Sequence, residues 1–188
     1  MMRRLMSIAA TLLVCWSCAL FAAPAAPVVT LQTSQGEIAI ELDPQAAPQT
    51  VANFLRYVDD GSYVGTQFHR VIPGFVVQGG GLDADLRPRP EYAPVKNESA
   101  NGLSNRYGSI AMARTSDPDS ATRQFYINIS NNTMLDNTPG RPGYAVFGKV
   151  IRGMDVVEKM AAVPTRNAGG MADVPVTPIV IEKVSVTR

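Results

Sequence analysis

Gly65-Thr66-Gln67-Phe68-His69-Arg70-Val71-Ile72-Pro73-Gly74-Phe75-Val76-Val77-Gln78-Gly79-Gly80-Gly81 decides how this chain is read. Two short β-prone runs, Thr66–Ile72 and Phe75–Gly79, flank the turn pair Pro73-Gly74, and a glycine triplet ends the second. Short strands punctuated by Gly and Pro are the signature of an all-β domain. Arg70 sits inside the first apolar run. A buried arginine must be paired or used, whereas an arginine on an edge strand can reach water along its stem. Strict alternation would put Phe75 and Gln78 on opposite faces. If both serve one surface, the chain departs from regularity at Pro73-Gly74.

The same pattern extends outward. Val28 to Leu42 reads as a hairpin about Ser34-Gln35-Gly36, with Ile38, Ile40 and Leu42 alternating against Glu37, Ala39 and Glu41. Strand-like segments recur at Gly108–Ala113, Gln124–Ile129, Tyr144–Val150 and Ile179–Val186. In Gln124–Ile129, Phe125, Ile127 and Ile129 form one face; Gln124, Tyr126 and Asn128 form the other, either a solvent face or a groove wall. Two helices interrupt the strands. Pro48–Asp60 carries Val51, Phe54, Leu55 and Val58 on one stripe and ends at Gly61. Met154–Ala162 turns Met154, Val157 and Met160 or Ala161 inward. The fold class expected is mainly β, a closed eight-stranded antiparallel β-barrel capped by two α-helices. Eight strands leave an interior that side chains fill. The long irregular segments Gly80–Val95 and Ser130–Gly143 are functional or solvated loops.

Composition narrows the chemistry. The chain has 188 residues, 46% hydrophobic and 18% charged, which suits one globular domain. A formal net charge of +1 supplies no general footprint for nucleic acid. Arg3 and Arg4, the apolar run Leu5–Phe21 and the small residues Ala22-Ala23-Pro24-Ala25-Ala26 have the layout of a secretory signal peptide. Residues 1–23 are expected to be removed, with cleavage somewhere in 22–26, leaving a domain over 27–188. Export to the periplasm, with no membrane association after cleavage, follows from that reading. Both cysteines, Cys15 and Cys18, would leave with the leader, and the formal charge would become −1.

His69 is the only histidine, so a Ser-His-Asp triad could be built on it alone, and no Gly-x-Ser-x-Gly elbow accompanies it. A zinc site lacks the usual several His or Cys ligands. Gly79-Gly80-Gly81 is neither a Walker loop nor a dinucleotide fingerprint. No metal and no cofactor is expected, and His69 reads as a structural ring beside a strand. The sequons at Asn97, Asn128 and Asn131 are incidental.

Several ordered motifs together resemble the cyclophilins. They are Phe68-His69-Arg70-Val71-Ile72-Pro73-Gly74-Phe75 with Gln78-Gly79-Gly80, Ala111-Met112-Ala113, Gln124-Phe125-Tyr126-Ile127, Leu135-Asp136, and Val146-Phe147-Gly148-Lys149-Val150. The resemblance runs from about Val29 to Val186 and, with the leader, points to the periplasmic cyclophilins of Gram-negative bacteria. It implies a peptidyl-prolyl cis–trans isomerase acting on proline-containing unfolded or partly folded polypeptides during the folding of exported proteins. It assigns Arg70, Phe75 and Gln78 as catalytic. Met112, Ala113, Tyr126 and Leu135 would line a proline pocket, and Gln124 would hold the substrate backbone. Met134 stands where the family often has tryptophan and Tyr144 where it often has histidine, both at the substrate surface; weak cyclosporin binding is therefore expected. The rival readings are a non-catalytic proline-peptide binder or holding chaperone on the same fold, and a ligand-carrying barrel. Arg70 and Gln78 favour the enzyme, because binding alone needs only the pocket.

Overall fold

The computed structural model describes residues 25–188; the expected leader lies outside them. In chain order the elements are β1 (Val28–Thr33), β2 (Gly36–Leu42), α1 (Pro48–Asp59), β3 (Thr66–Gln67), β4 (Arg70–Ile72), β5 (Val76–Gly79), β6 (Leu82–Asp83), β7 (Ser109–Met112), β8 (Phe125–Asn128), β9 (Val146–Arg152), α2 (Met154–Ala161), β10 (Thr165–Ala168), β11 (Met171–Pro175) and β12 (Ile181–Thr187). Eight strands form one sheet in the order β12-β1-β2-β9-β7-β8-β5-β4, and each neighbouring pair is antiparallel.

The sheet curls but does not close, which corrects the closed barrel expected from sequence. β4 and β12 are its two ends, with no ladder between them. The run Thr66–Ile72, expected as one strand, is split at Phe68-His69. Its second half pairs with β5; its first half pairs with β6. The seam is bridged by contacts of that first half: Gly65 N–H donates to Ile181 O (2.8 Å) and Phe68 N–H to Ile179 O (2.9 Å). Between them lies the isolated bridge Gln67–Val180.

One apolar cluster fills the concave side. Phe54 from α1 meets Tyr63, Phe125 and Phe147 at ring-centroid distances of 5.2, 5.4 and 5.1 Å. α2 adds Val156, Val157 and Met160 to the same cluster. Phe54, Phe68, Phe125, Phe147, Ile110 and Ile127 are all fully buried, and this packing fills the space that a carried ligand would need. Truncating such a ring costs about 3–5 kcal/mol. α1 begins with Pro48, whose missing N–H is no loss in the first turn. The carboxylate of Glu98 receives the N–H groups of Gln49 (3.1 Å) and Thr50 (2.8 Å), placing negative charge at the helix N-terminus.

A second, smaller cluster lies on the opposite face of the same strands. It contains Val76, Ala111, Tyr126 and Val146, with Phe75, Leu103, Ala113, Leu135 and Tyr144 packed against it. Their strand neighbours Val77, Ile110, Met112, Phe125, Ile127 and Phe147 belong to the interior cluster. This part of the sheet is therefore covered on both faces, as the period of two requires.

Candidate active site

The outer face of β4, β5, β8 and β7 is the candidate site, because the expected residues gather there. Register sets Arg70 opposite Gln78, Gln78 opposite Tyr126, and Tyr126 opposite Ala111. Residues 70, 78, 126 and 111 thus form one row across four adjacent strands. Directly opposed side chains stand ~4.5–5.5 Å apart at Cβ, so register alone brings these distant positions together. A groove of about 150 Å³ opens over the row, bounded by Arg70, Phe75, Gln78, Tyr126, Leu135 and Tyr144. Its size admits one small ring, not a nucleotide or flavin.

Phe75 reaches this face because it is not part of the strand. β5 begins at Val76, and Gly74 holds φ +72° in the preceding turn, a left-handed angle that favours glycine. The turn closes with Phe75 N–H donating to Ile72 O (3.0 Å). From Val76 onward alternation is regular: Val76 and Gln78 face the groove and Val77 the interior.

Two amides orient the arginine. Arg70 Nη1 donates to Gln78 Oε1 (3.2 Å), and Gln78 Nε2 donates to Gln124 Oε1 (3.1 Å). Arg70 and Gln78 are half-buried, and the remaining guanidinium donors of Arg70 make no hydrogen bond among the described residues. Gly81 lets the backbone pass directly against the Gln124 side chain; a Cβ there would overlap its Cγ. His69, next to Arg70 in the chain, is 4% exposed and its Nδ1 has no hydrogen-bond partner among the described residues. Burial pushes its pKa below the ordinary imidazole value; the Gln67 backbone opposes the shift and the Arg70 charge adds to it.

The far wall is Tyr144. Its ring meets Tyr126 edge to face at 5.9 Å, and its N–H donates to Leu135 O (2.9 Å). Arg114 lies over the Tyr144 ring at 4.5 Å and donates to Gly143 O (3.2 Å) and Pro142 O (2.8 Å). Burial pushes the Tyr126 phenol far up, helped by Tyr144 and Asp136.

The structure brings Arg70, Phe75, Gln78, Ala113, Tyr126, Leu135 and Tyr144 together around the groove, with Gln124 behind Gln78. Met112 is a correction: it is 2% exposed and packs into the interior cluster. The reason is parity, since Ala111 and Ala113 take the outer face. Met134, 59% exposed on the 3-10 turn Thr133–Leu135, stands outside the groove lining. Sequence reasoning missed Val76 and Arg114. Alternation with Gln78 could have found Val76; nothing in the sequence marks Arg114 beyond its place after Ala113. A larger cavity of about 620 Å³ lies between Pro44, Leu103, Arg106 and Lys149. It holds none of the expected site residues, so the smaller groove is the better candidate.

The sequence and the fold are similar to those of known proteins. Residues 28–186 match the sequence profile of the family described as "Cyclophilin type peptidyl-prolyl cis-trans isomerase/CLD". The peptidyl-prolyl cis-trans isomerase A of Dickeya dadantii is 51% identical over 168 residues, covering 89% of this chain and 88% of that protein. The peptidyl-prolyl cis-trans isomerase B of Escherichia coli is 46% identical over 165 residues, covering 86% of this chain and 100% of that protein. A Cryptosporidium parvum cyclophilin-type isomerase, crystallised in the presence of the dipeptide Ala-Pro, superposes with a TM-score of 0.71 at 26% identity, covering 86% of this chain and 99% of that one. The chain belongs to the cyclophilin-type peptidyl-prolyl cis–trans isomerases. Its activity is the isomerisation of X-Pro peptide bonds.

Proposed function

We propose that the groove over Arg70, Gln78 and Tyr126 is where the X-Pro bond is turned, and that its substrates are exported, incompletely folded polypeptides in the periplasm. The observation carrying the first part is the cross-strand row, which sets a cation, its orienting amide and an apolar floor side by side. A peptide bond resists rotation by ~18–20 kcal/mol because its C–N bond has partial double-bond character. Halfway through rotation the proline nitrogen recovers its lone pair and accepts a hydrogen bond. Arg70 donates to that nitrogen in the twisted state only, so the interaction lowers the barrier without tightening the ground state. Phe75, Tyr126 and Leu135 grip the proline ring, with Ala113 and Tyr144 beside them. Gln78 holds the guanidinium, and Gln124 fixes Gln78 and faces the substrate backbone. The Ala-Pro dipeptide used with the Cryptosporidium protein is a ligand of the size this groove takes.

The periplasmic part rests on Arg3, Arg4 and the apolar run before the domain. The test is an isomerisation assay on a short X-Pro peptide, using protein recovered from the periplasm and checked by intact mass. Arg70→Ala should lower kcat/KM by ~10²-fold, the low end for losing one transition-state donor, since the groove is open to water. Unchanged turnover in Arg70→Ala would remove the groove as the site. A recovered species that still carries Cys15 and Cys18 would remove the leader reading.

A further inference from the structure

Beneath the groove lies a connected set of polar side chains that the isomerisation chemistry does not itself use. Its centre is Asp136, in the long segment after Leu135. Oδ1 accepts the Asn105 backbone N–H (2.7 Å) and Asn105 Nδ2 (2.9 Å); Oδ2 accepts the Ser104 hydroxyl (2.5 Å). Asn105 is fully buried, and its Oδ1 accepts from Tyr126 Oη (2.7 Å) and Asn128 Nδ2 (3.2 Å). Asn128 Oδ1 accepts from Asn132 Nδ2 (2.7 Å), which also donates to the carbonyl of Phe75 (2.8 Å).

We propose that Asp136 is a positioning residue for the isomerase: through Asn105, Asn128 and Asn132 its carboxylate fixes Tyr126, Phe75 and Leu135 in the geometry that receives the proline ring. The direction of each bond carries the argument. An Asn amide has one acceptor end and one donor end, and a carboxylate only accepts. Asp136 therefore forces the donor end of Asn105 toward itself and the acceptor end toward Tyr126. The Tyr126 hydroxyl must then donate, which orients its ring on the groove floor. Leu135 is held by its own chain neighbour, and Phe75 by the last link. Partial burial pushes the Asp136 carboxyl up, but Asn105 and Ser104, with Arg106 nearby, outweigh it and hold it below its ordinary value. The groove is thus preset before substrate arrives, which removes an ordering cost from binding. Arg70 and Gln78 stand outside this network.

This inference rests on reading the groove as the substrate site. Steady-state kinetics on an X-Pro peptide, well below every variant's unfolding midpoint, tests it. Asp136→Ala should raise KM by about 10-fold, the size of one lost buried hydrogen bond, with kcat changed less than about 3-fold. Asp136→Asn should stay within about 3-fold of the parent, because its oxygen still accepts from Asn105 and its amide can donate to Ser104. Tyr126→Phe should raise KM alone, yet add nothing in Asp136→Ala, where the hydroxyl has lost its oriented acceptor. An unchanged KM in Asp136→Ala, or additive effects in the double variant, overturns the role. Should Asp136→Ala fail to fold, an unchanged KM in Tyr126→Phe does so. Arg70→Ala separates the two levels: if it stays active, the groove reading fails; if it is inactive while Asp136→Ala keeps its KM, only the positioning role fails.

Discussion

Replacing Arg123 by methionine should destabilise this protein more than any surface change. Arg123 is fully buried and makes no carboxylate pair among the described residues. Its Nε donates to Gly80 O (2.7 Å), Nη1 to Pro90 O (2.6 Å) and Nη2 to Ser62 O (2.7 Å). The guanidinium also lies 4.9 and 5.6 Å from the rings of Tyr57 and Tyr63. It ties three loops to one point, one of them directly after Gln78-Gly79. Methionine replaces the stem but none of the donors. Three charge-assisted bonds of ~1.5–3 kcal/mol each are lost, offset by the relief of no longer burying a cation. The three carbonyls left without donors cost ~1–3 kcal/mol each, so after that relief a net loss of ~3–5 kcal/mol is expected. At ~2–4 °C per kcal/mol for a domain of this size, Tm should fall by about 6–20 °C. Lysine, with one compact ammonium in place of a planar fork, should restore less than half of the loss. Urea unfolding at 25 °C reads the difference directly. A loss below about 1 kcal/mol for Arg123→Met would show that the three carbonyls find water easily, and the argument from burial would fail.

Two further outcomes are open to measurement. The folded pKa of His69 lies below its unfolded value of about 6.5, so the unfolded chain binds the proton first as pH falls. Stability should be full above that value and decline below it until the native pKa is passed. His69→Gln should flatten the decline in urea midpoint between pH 7.5 and 5.5; an equal decline in both proteins would refute it. Met134→Trp should tighten cyclosporin inhibition at least ~10-fold, since a regained indole hydrogen bond and aromatic contact together reach ~1.4 kcal/mol. Peptide turnover should change less, because Met134 stands outside the groove, and equal inhibition of the two proteins would place it outside the drug surface too.

The strand pattern and both helices were legible in the sequence because apolar alternation and stripes are local. Val51, Phe54 and Val58 are buried on α1 as their spacing requires. The β10–β11 hairpin carries a fainter signal, the pair Gly169-Gly170, both at positive φ, a turn dipeptide of the kind that marks hairpins. Met112 belongs to a motif whose residues alternate between faces, so parity separates it from Ala111 and Ala113. The open seam was not legible: whether two edges pair depends on where Phe68-His69 breaks a strand. Arg123 and the Asp136 network were also out of reach, since their partners lie 43 and 31 residues away, and no periodicity links such positions.

The two clusters that share β5, β7, β8 and β9 have a consequence for how such a protein can change. Val77, Ile110, Ile127 and Phe147 answer to the interior; Val76, Ala111, Tyr126 and Val146 answer to the groove side. Adjacent codons therefore come under separate pressures. Substrate preference can drift at one set of positions while the other set stays fixed by packing. A library varied at Val76 and Ala113 should yield altered X-Pro preferences at little loss of folded yield, whereas the same diversity at Val77 and Met112 should yield mostly unfolded chains.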